Sequence, residues 1–268
     1  MKAFVIGLQK ILNYTAWEME IPPAYGAFHL IFMLSAFAIS AILAWRLRGV
    51  GDKGNKRIFL SIGIFLLVSE VYKQLMYCLV VEPGGDYHWG AFPFQLCSIP
   101  MYFCVIIPLL KGGKVQKAMY NFLMMYNFLG GFIAFFEPSG LLHGYVTLTL
   151  HSLIWHSLLV FIGLYIFFSG RGGTERSDYL SATATFGILT LIAFIINCSF
   201  WELSKHSIKM FFVGPGNSPI IVFKWISEQF GWVICTVLYI ASVCVGVFLL
   251  VLLLRFLRKR FKLPSVRN

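Results

Sequence analysis

The chain has little charge for its length. Only 12% of its 268 residues are charged, while 59% are hydrophobic, and a typical soluble domain carries about 25% charged residues. This shortage excludes an ordinary water-soluble enzyme and an intrinsically disordered chain. At about 20 apolar residues per membrane span, a chain of this length has room for about seven helices and little else. We therefore predict an all-α, polytopic membrane helical bundle of about seven transmembrane helices.

Acidic residues and paired cysteines are also scarce. Eleven Asp and Glu residues stand against 22 Lys and Arg residues, which gives a net charge of +11. In a membrane protein this surplus first indicates orientation and contact with anionic lipid. The six cysteines include no CxxC pair, which argues against a disulfide framework or a zinc knuckle. We predict membrane lipids as partners, with no nucleic acid, metal or cofactor, and nothing in the sequence indicates a protein partner.

Seven apolar runs have the length of a membrane span. Residues 1–20 are too polar to span, and Phe4, Leu8, Ile11 and Leu12 share one face of an amphipathic helix, which predicts an interfacial segment. Residues 24–254 form the predicted transmembrane domain and residues 255–268 a basic tail. The predicted spans are 25–45, 58–80, 91–110, 118–136, 150–168, 179–200 and 232–254.

Basic residues distribute unevenly over this layout. Sixteen of the 22 Lys and Arg residues fall on one side of the seven spans, and the positive-inside rule makes that side cytoplasmic. The N-terminus is then outside and the C-terminus, with its basic tail, is in the cytoplasm. The long outer connection, 201–231, contains a turn-rich stretch at 214–219. The apolar residues 220–226 that follow either re-enter the membrane surface or cap the bundle.

Four reactive side chains share one predicted depth. Ionisable groups inside a span are costly and are treated as candidate site residues. Glu70 and Lys73 lie three residues apart on span two and are able to pair. Counted from the nearest cytoplasmic basic residue, these two, Cys97 and His156 all lie about 20–24 Å above the cytoplasmic boundary at about 1.5 Å per residue. They form one layer in the outer half of a hydrocarbon core about 30 Å thick.

A thiol and an imidazole at one depth have a chemical use. A thiolate is a nucleophile, and a nearby histidine is able to take its proton. Glu70 either orients that histidine or pairs with Lys73, and Lys73 or Asn127 polarises a carbonyl group. Because the outer leaflet is rich in acyl esters, acyl transfer or hydrolysis is the natural reaction class.

Further polar residues stand near this layer. Gln95 opens span three, and His151 and Asn197 lie toward the outer rim, so all three are candidate supporting residues. The choice between His151 and His156 as the functional histidine stays open. A metal site built on these two is disfavoured, because they are five residues apart and not the three or four that place two ligands on one helix face.

Short motifs in spans three and five carry a family resemblance. Residues 92–99, FPFQLCSI, are similar to the LPLxLCxI signature of the YwaF-like family of integral membrane proteins, and Trp155-His156-Ser157 resembles its SHG segment. That family is grouped with a eukaryotic transmembrane protein implicated in fatty-acyl transfer onto ether phospholipids, for which an intramembrane cysteine nucleophile has been proposed. The resemblance implies Cys97 as nucleophile, His156 as its support, and the cytoplasmic membrane of a bacterium as the location. The chain departs from the family pattern at Phe92, Gln95 and Ser157.

Two other classes of function remain open. The first is a small-solute or ion transporter that uses the Glu70–Lys73 pair, with Asn127 and Asn197 coordinating the substrate. Discontinuous helices would be its structural mark. The second is a non-catalytic scaffold or lipid-binding protein, in which the tail from Arg255 to Arg267 holds anionic headgroups or a partner.

Overall fold

Helices make up the framework of the protein. The computed structural model describes residues 2–264, and this part contains one isolated β-bridge and no strand, which confirms the predicted all-α class. Irregular helical turns continue or join several helices: π-turns at Tyr77–Val81 and Leu123–Asn127, and 3-10 turns at Leu96–Ser98 and Ile107–Leu109. The α-helices are α1 Lys2–Asn13, α2 Ala27–Leu47, α3 Asp52–Met76, α4 Ile99–Ile106, α5 Lys114–Phe122, α6 Phe128–Ala134, α7 Val146–Ser169, α8 Arg176–Ser199 and α9 Ile221–Arg260.

Five of the described helices are long and apolar enough to cross a membrane. They cover predicted spans one, two, five, six and seven and are Ala27–Leu47, Asp52–Val81, Val146–Ser169, Arg176–Ser199 and Ile221–Arg260. Predicted span three corresponds to a shorter apolar helix, Leu96–Leu109. Predicted span four corresponds to α5, its π-turn and α6 in succession. The chain is multi-pass, and the total of seven spans stays a prediction.

Helix α7 lies at the centre of the packing. It contacts α2 on one side and α6 on another, and it has more buried residues than any other described helix. Small residues allow the close approach to α6. A Cβ atom added to Gly131 would lie 2.6 Å from Leu159, and one added to Gly163 would lie 2.4 Å from Phe128. This packing fixes the rotation of α7 and therefore the direction in which its histidines point.

The predicted interfacial segment forms a helix, α1. One part of its apolar face is buried against the bundle, and the other part is exposed. Leu12 is buried and packs with Leu8 against Met76 and Leu148, at the C-terminal end of α3 and the N-terminal end of α7. Phe4 remains 75% exposed and Ile11 65% exposed, as expected of side chains that lie in a membrane interface. Half of the predicted face therefore anchors the segment to the bundle.

The long connection after α8 ends in a stretch that is only partly exposed. Ile221 and Val222 begin helix α9 with exposed side chains, whereas Ile220 and Phe223 pack against the core. The cap is formed by residues 208–213, where Ile208, Met210 and Phe211 are buried. Helix α9 bends at Gly231, whose φ of 81° lies in the left-handed region that favours glycine. The predicted start of span seven at residue 232 falls at this bend.

The first residues of the predicted basic tail, 255–260, form the end of helix α9. Arg255 donates to the carbonyl oxygen of Thr174 at 3.0 and 2.7 Å, and Arg258 donates to that of Gly172 at 3.0 Å. These guanidinium groups satisfy backbone carbonyls that follow the C-terminal end of α7. The first residues of the tail therefore bind the protein itself, which weakens a scaffold role for them. Residues 265–268, with Arg267, lie outside the described residues.

A buried carboxylate ties α8 to α5. Asp178 is only 2% exposed, lies 2.8 Å from Lys117 Nζ, and accepts from Asn121 Nδ2 at 3.3 Å and from the backbone N–H of Glu175 at 3.0 Å. The Asp178→Ala variant removes the charge partner of Lys117 and the acceptor of the Glu175 N–H, while Asn121 Nδ2 keeps its bond to the Ser181 hydroxyl. A hydrogen bond to a charged group contributes about 1.5–3 kcal/mol. We expect a clear drop in the midpoint of thermal unfolding, measured in nanodiscs.

The matched control for this variant is Asp52→Ala. Asp52 also pairs with a cation, Arg171, at 2.9 Å, but its side chain is 86% exposed, and such pairs contribute only about 0–1 kcal/mol. Equal losses in the two variants would contradict the assigned role of Asp178.

Candidate functional site

A cavity of about 180 Å³ lies between the C-terminal end of α3, the N-terminal half of α7 and the turn that precedes α4. The four residues predicted to share one depth, Glu70, Lys73, Cys97 and His156, all line it. Its volume is below the about 300–1,000 Å³ of a pocket for a drug-sized ligand. The cavity therefore has room for a reacting group or a small headgroup, and it is too small for a whole lipid.

Cys97 lies in an irregular turn and not in a regular helix. The 3-10 turn Leu96–Ser98 leads into α4, and Pro100 occupies the first turn of that helix, where its missing N–H costs little. Two side chains hold the turn by its carbonyl groups. Asn127 Nδ2 donates to the Leu96 oxygen at 3.0 Å, and Trp155 Nε1 donates to the Cys97 oxygen at 2.8 Å. These bonds hold the backbone on either side of the thiol in place.

The hydrogen bonding of His156 assigns its tautomer. Its Nδ1 lies 2.8 Å from the carbonyl oxygen of Ser152, one helical turn earlier. A carbonyl oxygen only accepts, so Nδ1 carries a proton, and in the neutral ring Nε2 keeps its lone pair. His156 is thus pre-arranged as a proton acceptor at Nε2.

The predicted Glu70–Lys73 pair is confirmed, with Lys73 Nζ 2.8 Å from Glu70 Oε1. The same oxygen accepts from Gln74 Nε2 at 2.7 Å, and Gln74 is held in turn by the Ala91 carbonyl at 2.6 Å. His156 Nδ1 is held by the Ser152 carbonyl, and Glu70 bonds to Lys73 and Gln74. The structure therefore favours the alternative in which Glu70 pairs with Lys73.

Two more histidines line the cavity. The His151 ring lies 5.3 Å from the Trp155 ring, and its buried Nε2 has no hydrogen-bond partner among the described residues. His143, in the connection before α7, lies 3.0 Å from the Ser152 hydroxyl. Burial lowers the pKa of His143, and the charge of Lys73 lowers it further. In residues 2–264, no group of three or more His, Cys, Asp or Glu side chains is arranged to hold a metal ion.

Gln95 and Asn197 hold the loop between α8 and α9. Gln95, which lines the cavity, accepts from the Phe211 N–H at 3.0 Å. Asn197 lies outside the cavity wall; it donates to the carbonyls of Met210 at 2.9 Å and Val213 at 2.6 Å and accepts from the Met210 N–H at 2.8 Å. All of its polar atoms are engaged, so the predicted role of Asn197 in coordinating a transported substrate is not supported.

The Asn197→Ala variant should loosen the 208–213 cap. It removes the partners of buried backbone groups, at about 1–3 kcal/mol for each group left unsatisfied. We expect faster proteolytic cleavage within residues 203–219 and a lower thermal midpoint. Asn217→Ala is the control, since Asn217 lies in the same loop with an exposed side chain. Identical cleavage rates in the two variants would contradict the clamp.

Some members of the site were missed from the sequence. Ser152 precedes His156 by four residues, the hydrogen-bond period of a helix, so this contact had a local signal. Trp155 bonds to Cys97 across 58 positions, and Gln74 reaches Ala91 across an irregular loop. The spacing of residues in the sequence does not predict contacts of this kind.

A model of the TMEM164 family matches residues 24–251. The chain belongs to the TMEM164 family. The match includes every residue of the cavity wall. No curated protein and no solved structure matches the chain.

Membership of the TMEM164 family and the long apolar helices make this chain an integral, multi-pass membrane protein. Its outer surface is in contact with lipid along those helices. The family description names no activity, and the likeness to YwaF-like proteins stays a prediction.

Proposed function

We propose that the protein is an intramembrane cysteine-dependent acyltransferase or hydrolase that acts on lipid acyl groups. One observation carries this proposal: Cys97, His156 and the Lys73–Glu70 pair converge on a single cavity. A nucleophile, a proton acceptor with a free Nε2 and a cation are the three parts that acyl transfer requires. Lipid acyl esters are the substrates that a membrane supplies at this depth.

The first half-reaction forms a thioester. The Cys97 sulfur attacks the ester carbonyl carbon while His156 Nε2 takes the thiol proton, so that a sulfur–carbon bond forms. The carbon–oxygen bond of the ester then breaks, and His156 returns the proton to the leaving oxygen, which departs as a lysolipid alcohol. Lys73 stabilises the negative charge that develops on the carbonyl oxygen.

The second half-reaction returns the free thiol. An acceptor hydroxyl group, or water in a hydrolase, attacks the thioester carbon as His156 takes its proton. The sulfur–carbon bond breaks, and the proton passes to the Cys97 thiolate. His151 is the alternative base, because its Nε2 is buried without a partner among the described residues.

Peptide mass spectrometry on the wild-type protein tests this proposal. Protein in nanodiscs made with a single phospholipid species should carry that acyl group on Cys97, and neutral hydroxylamine should remove it. Cys78 and Cys198, which are exposed, serve as internal controls for non-specific acylation. An acyl group absent from Cys97, or spread equally over all three thiols, would contradict the proposal.

The proposed orientation places the cavity in the outer half of the membrane, with the N-terminus outside and the C-terminus in the cytoplasm of a bacterium. In a variant whose exposed cysteines are replaced by serine, Lys205→Cys should react with an impermeant maleimide in intact cells. Lys53→Cys should react only after permeabilisation. The reverse pattern would invert the topology and move the reaction to the cytoplasmic leaflet.

A transporter is the second candidate function. The partly buried Glu70–Lys73 pair, the π-turn at Leu123–Asn127 and the bend at Gly231 resemble the interrupted helices of secondary transporters. This candidate predicts solute uptake into proteoliposomes that depends on membrane potential and is abolished by Glu70→Gln. Cys97 acylation without such uptake would exclude it.

A further inference from the structure

A second, larger cavity opens between α2, α3 and α7. Its volume is about 620 Å³, and its wall is mostly hydrocarbon, with Phe32, Ile39, Ile58 and Phe161 among its residues. We call it the apolar groove. Two of its serine hydroxyls are already occupied, because Ser40 donates to the Ser157 carbonyl at 3.2 Å and Ser157 donates to that of Leu153 at 2.7 Å.

A thin layer of side chains separates the apolar groove from the reactive cavity. Ile62 and Leu158 line the groove, and both pack against a buried cluster that contains Leu66 and Trp155. Cys97 packs against the same cluster from the other side, and Trp155 also lines the reactive cavity. A shift of Leu66 or Trp155 would therefore join the two spaces.

The apolar groove has the dimensions of one acyl chain. Along α2 it extends from Phe32 to Leu43, which corresponds to about 16 Å at 1.5 Å per residue. The hydrocarbon core of a bilayer is about 30 Å thick, so a chain in one leaflet extends about 15 Å. The groove volume also falls within the about 300–1,000 Å³ of ligand pockets, which the reactive cavity does not reach.

We propose that the apolar groove binds the fatty-acyl chain of the substrate while its carbonyl carbon lies at Cys97. This inference rests on the proposed acyl-transfer function and identifies the substrate class as long-chain acyl lipids. Because lipid tails are as apolar as the groove, moving an acyl chain from the bilayer into the groove supplies no hydrophobic driving force for binding. Selectivity between acyl chains therefore comes from how well each chain fits the groove. The far wall of the groove therefore limits the length of the chain.

A filling substitution tests the groove. Ser61 lines the groove from α3 and is exposed in it, so Ser61→Phe should shorten the space without disturbing the core. Acylation of Cys97 is measured with hexanoyl, decanoyl and palmitoyl esters of one lysophospholipid. We expect palmitoyl transfer to fall about tenfold or more, the size of effect seen when a substrate misfits a hydrophobic pocket, while hexanoyl transfer is unchanged. Leu60→Phe is the matched control, since Leu60 is exposed on α3 but does not line the groove.

The outcomes separate the two proposals. An unchanged ratio of palmitoyl to hexanoyl transfer in Ser61→Phe, with Cys97 still acylated, would overturn the groove alone. If none of the three esters acylates Cys97 in the wild-type protein, the proposed function is overturned.

A binding measurement is independent of the chemistry. In the Cys97→Ala protein, a phospholipid with a photoreactive palmitoyl chain should crosslink mainly to residues 58–62 and 154–161. Equal crosslinking to the lipid-exposed residues of α8, such as Ile188 and Leu191, would show that the probe contacts the protein only as bulk lipid. That result would overturn the groove as a binding site.

Discussion

Replacing Cys97 by alanine should reduce acyl transfer to the background rate. The sulfur is the atom that forms the covalent intermediate, and alanine offers no nucleophile in its place. The turn around it should survive, because Asn127 and Trp155 hold the carbonyl groups of Leu96 and Cys97, which the substitution keeps. The measurement is transfer of a labelled acyl chain between lipids in nanodiscs, with the thermal midpoint as a check on folding.

A second cysteine of the same span provides the control. Cys104 lies seven residues after Cys97, is fully buried and does not line the cavity. Cys104→Ala should keep its activity even if it loses some stability through a small packing defect. Activity retained in Cys97→Ala would remove Cys97 from the mechanism, whatever the effect of Cys104→Ala.

Replacing His156 by asparagine should slow the acylation of Cys97 by about 10²–10⁴-fold, the usual contribution of general acid–base catalysis. The physical reason is the tautomer that the Ser152 carbonyl imposes, which leaves Nε2 as the proton acceptor. The rate should be followed by single-turnover acylation over a range of pH. At high pH, where the thiol ionises without help, the difference between the variant and the wild type should narrow to the part that comes from proton donation to the leaving oxygen.

His151→Asn decides which histidine acts. His151 lines the same cavity, but its side chain lacks the bond to Ser152 that assigns the tautomer of His156. We expect His151→Asn to change the rate far less than His156→Asn. The reverse ranking would move the role of base to His151, and a loss in His156→Asn that does not narrow as the pH rises would contradict the role of His156 as the base that takes the thiol proton.

The pairing of Glu70 with Lys73 was predictable because it is local. Residues three apart on a helix are neighbours whatever the rest of the fold does. Regular helix rise and the positions of basic residues also predicted a common depth for these two, Cys97 and His156, and the four residues line one cavity. These regularities hold along a single helix, so they needed no knowledge of packing.

The contacts that support the site from other segments were not predictable in the same way. The contact of Trp155 with Cys97 and the clamp of Asn197 on residues 210–213 depend on how separate segments approach one another. Asn197 had the polarity and depth of a ligand-binding residue in the sequence, but the folded loop uses every polar atom of its amide. Sequence spacing cannot distinguish these roles, because both place a polar residue inside an apolar helix.

Composition and periodicity alone established a helical membrane protein and predicted a common depth for its reactive residues. A shortage of charge and a rise of about 1.5 Å per residue are properties of the chain itself. The tertiary structure alone decided which helix faces meet, so that His156 and Cys97 line one cavity while the apolar groove opens on the other face of α7. Helix rotation is set by packing at positions such as Gly131 and Gly163, and packing is a property of pairs of helices that no single segment encodes.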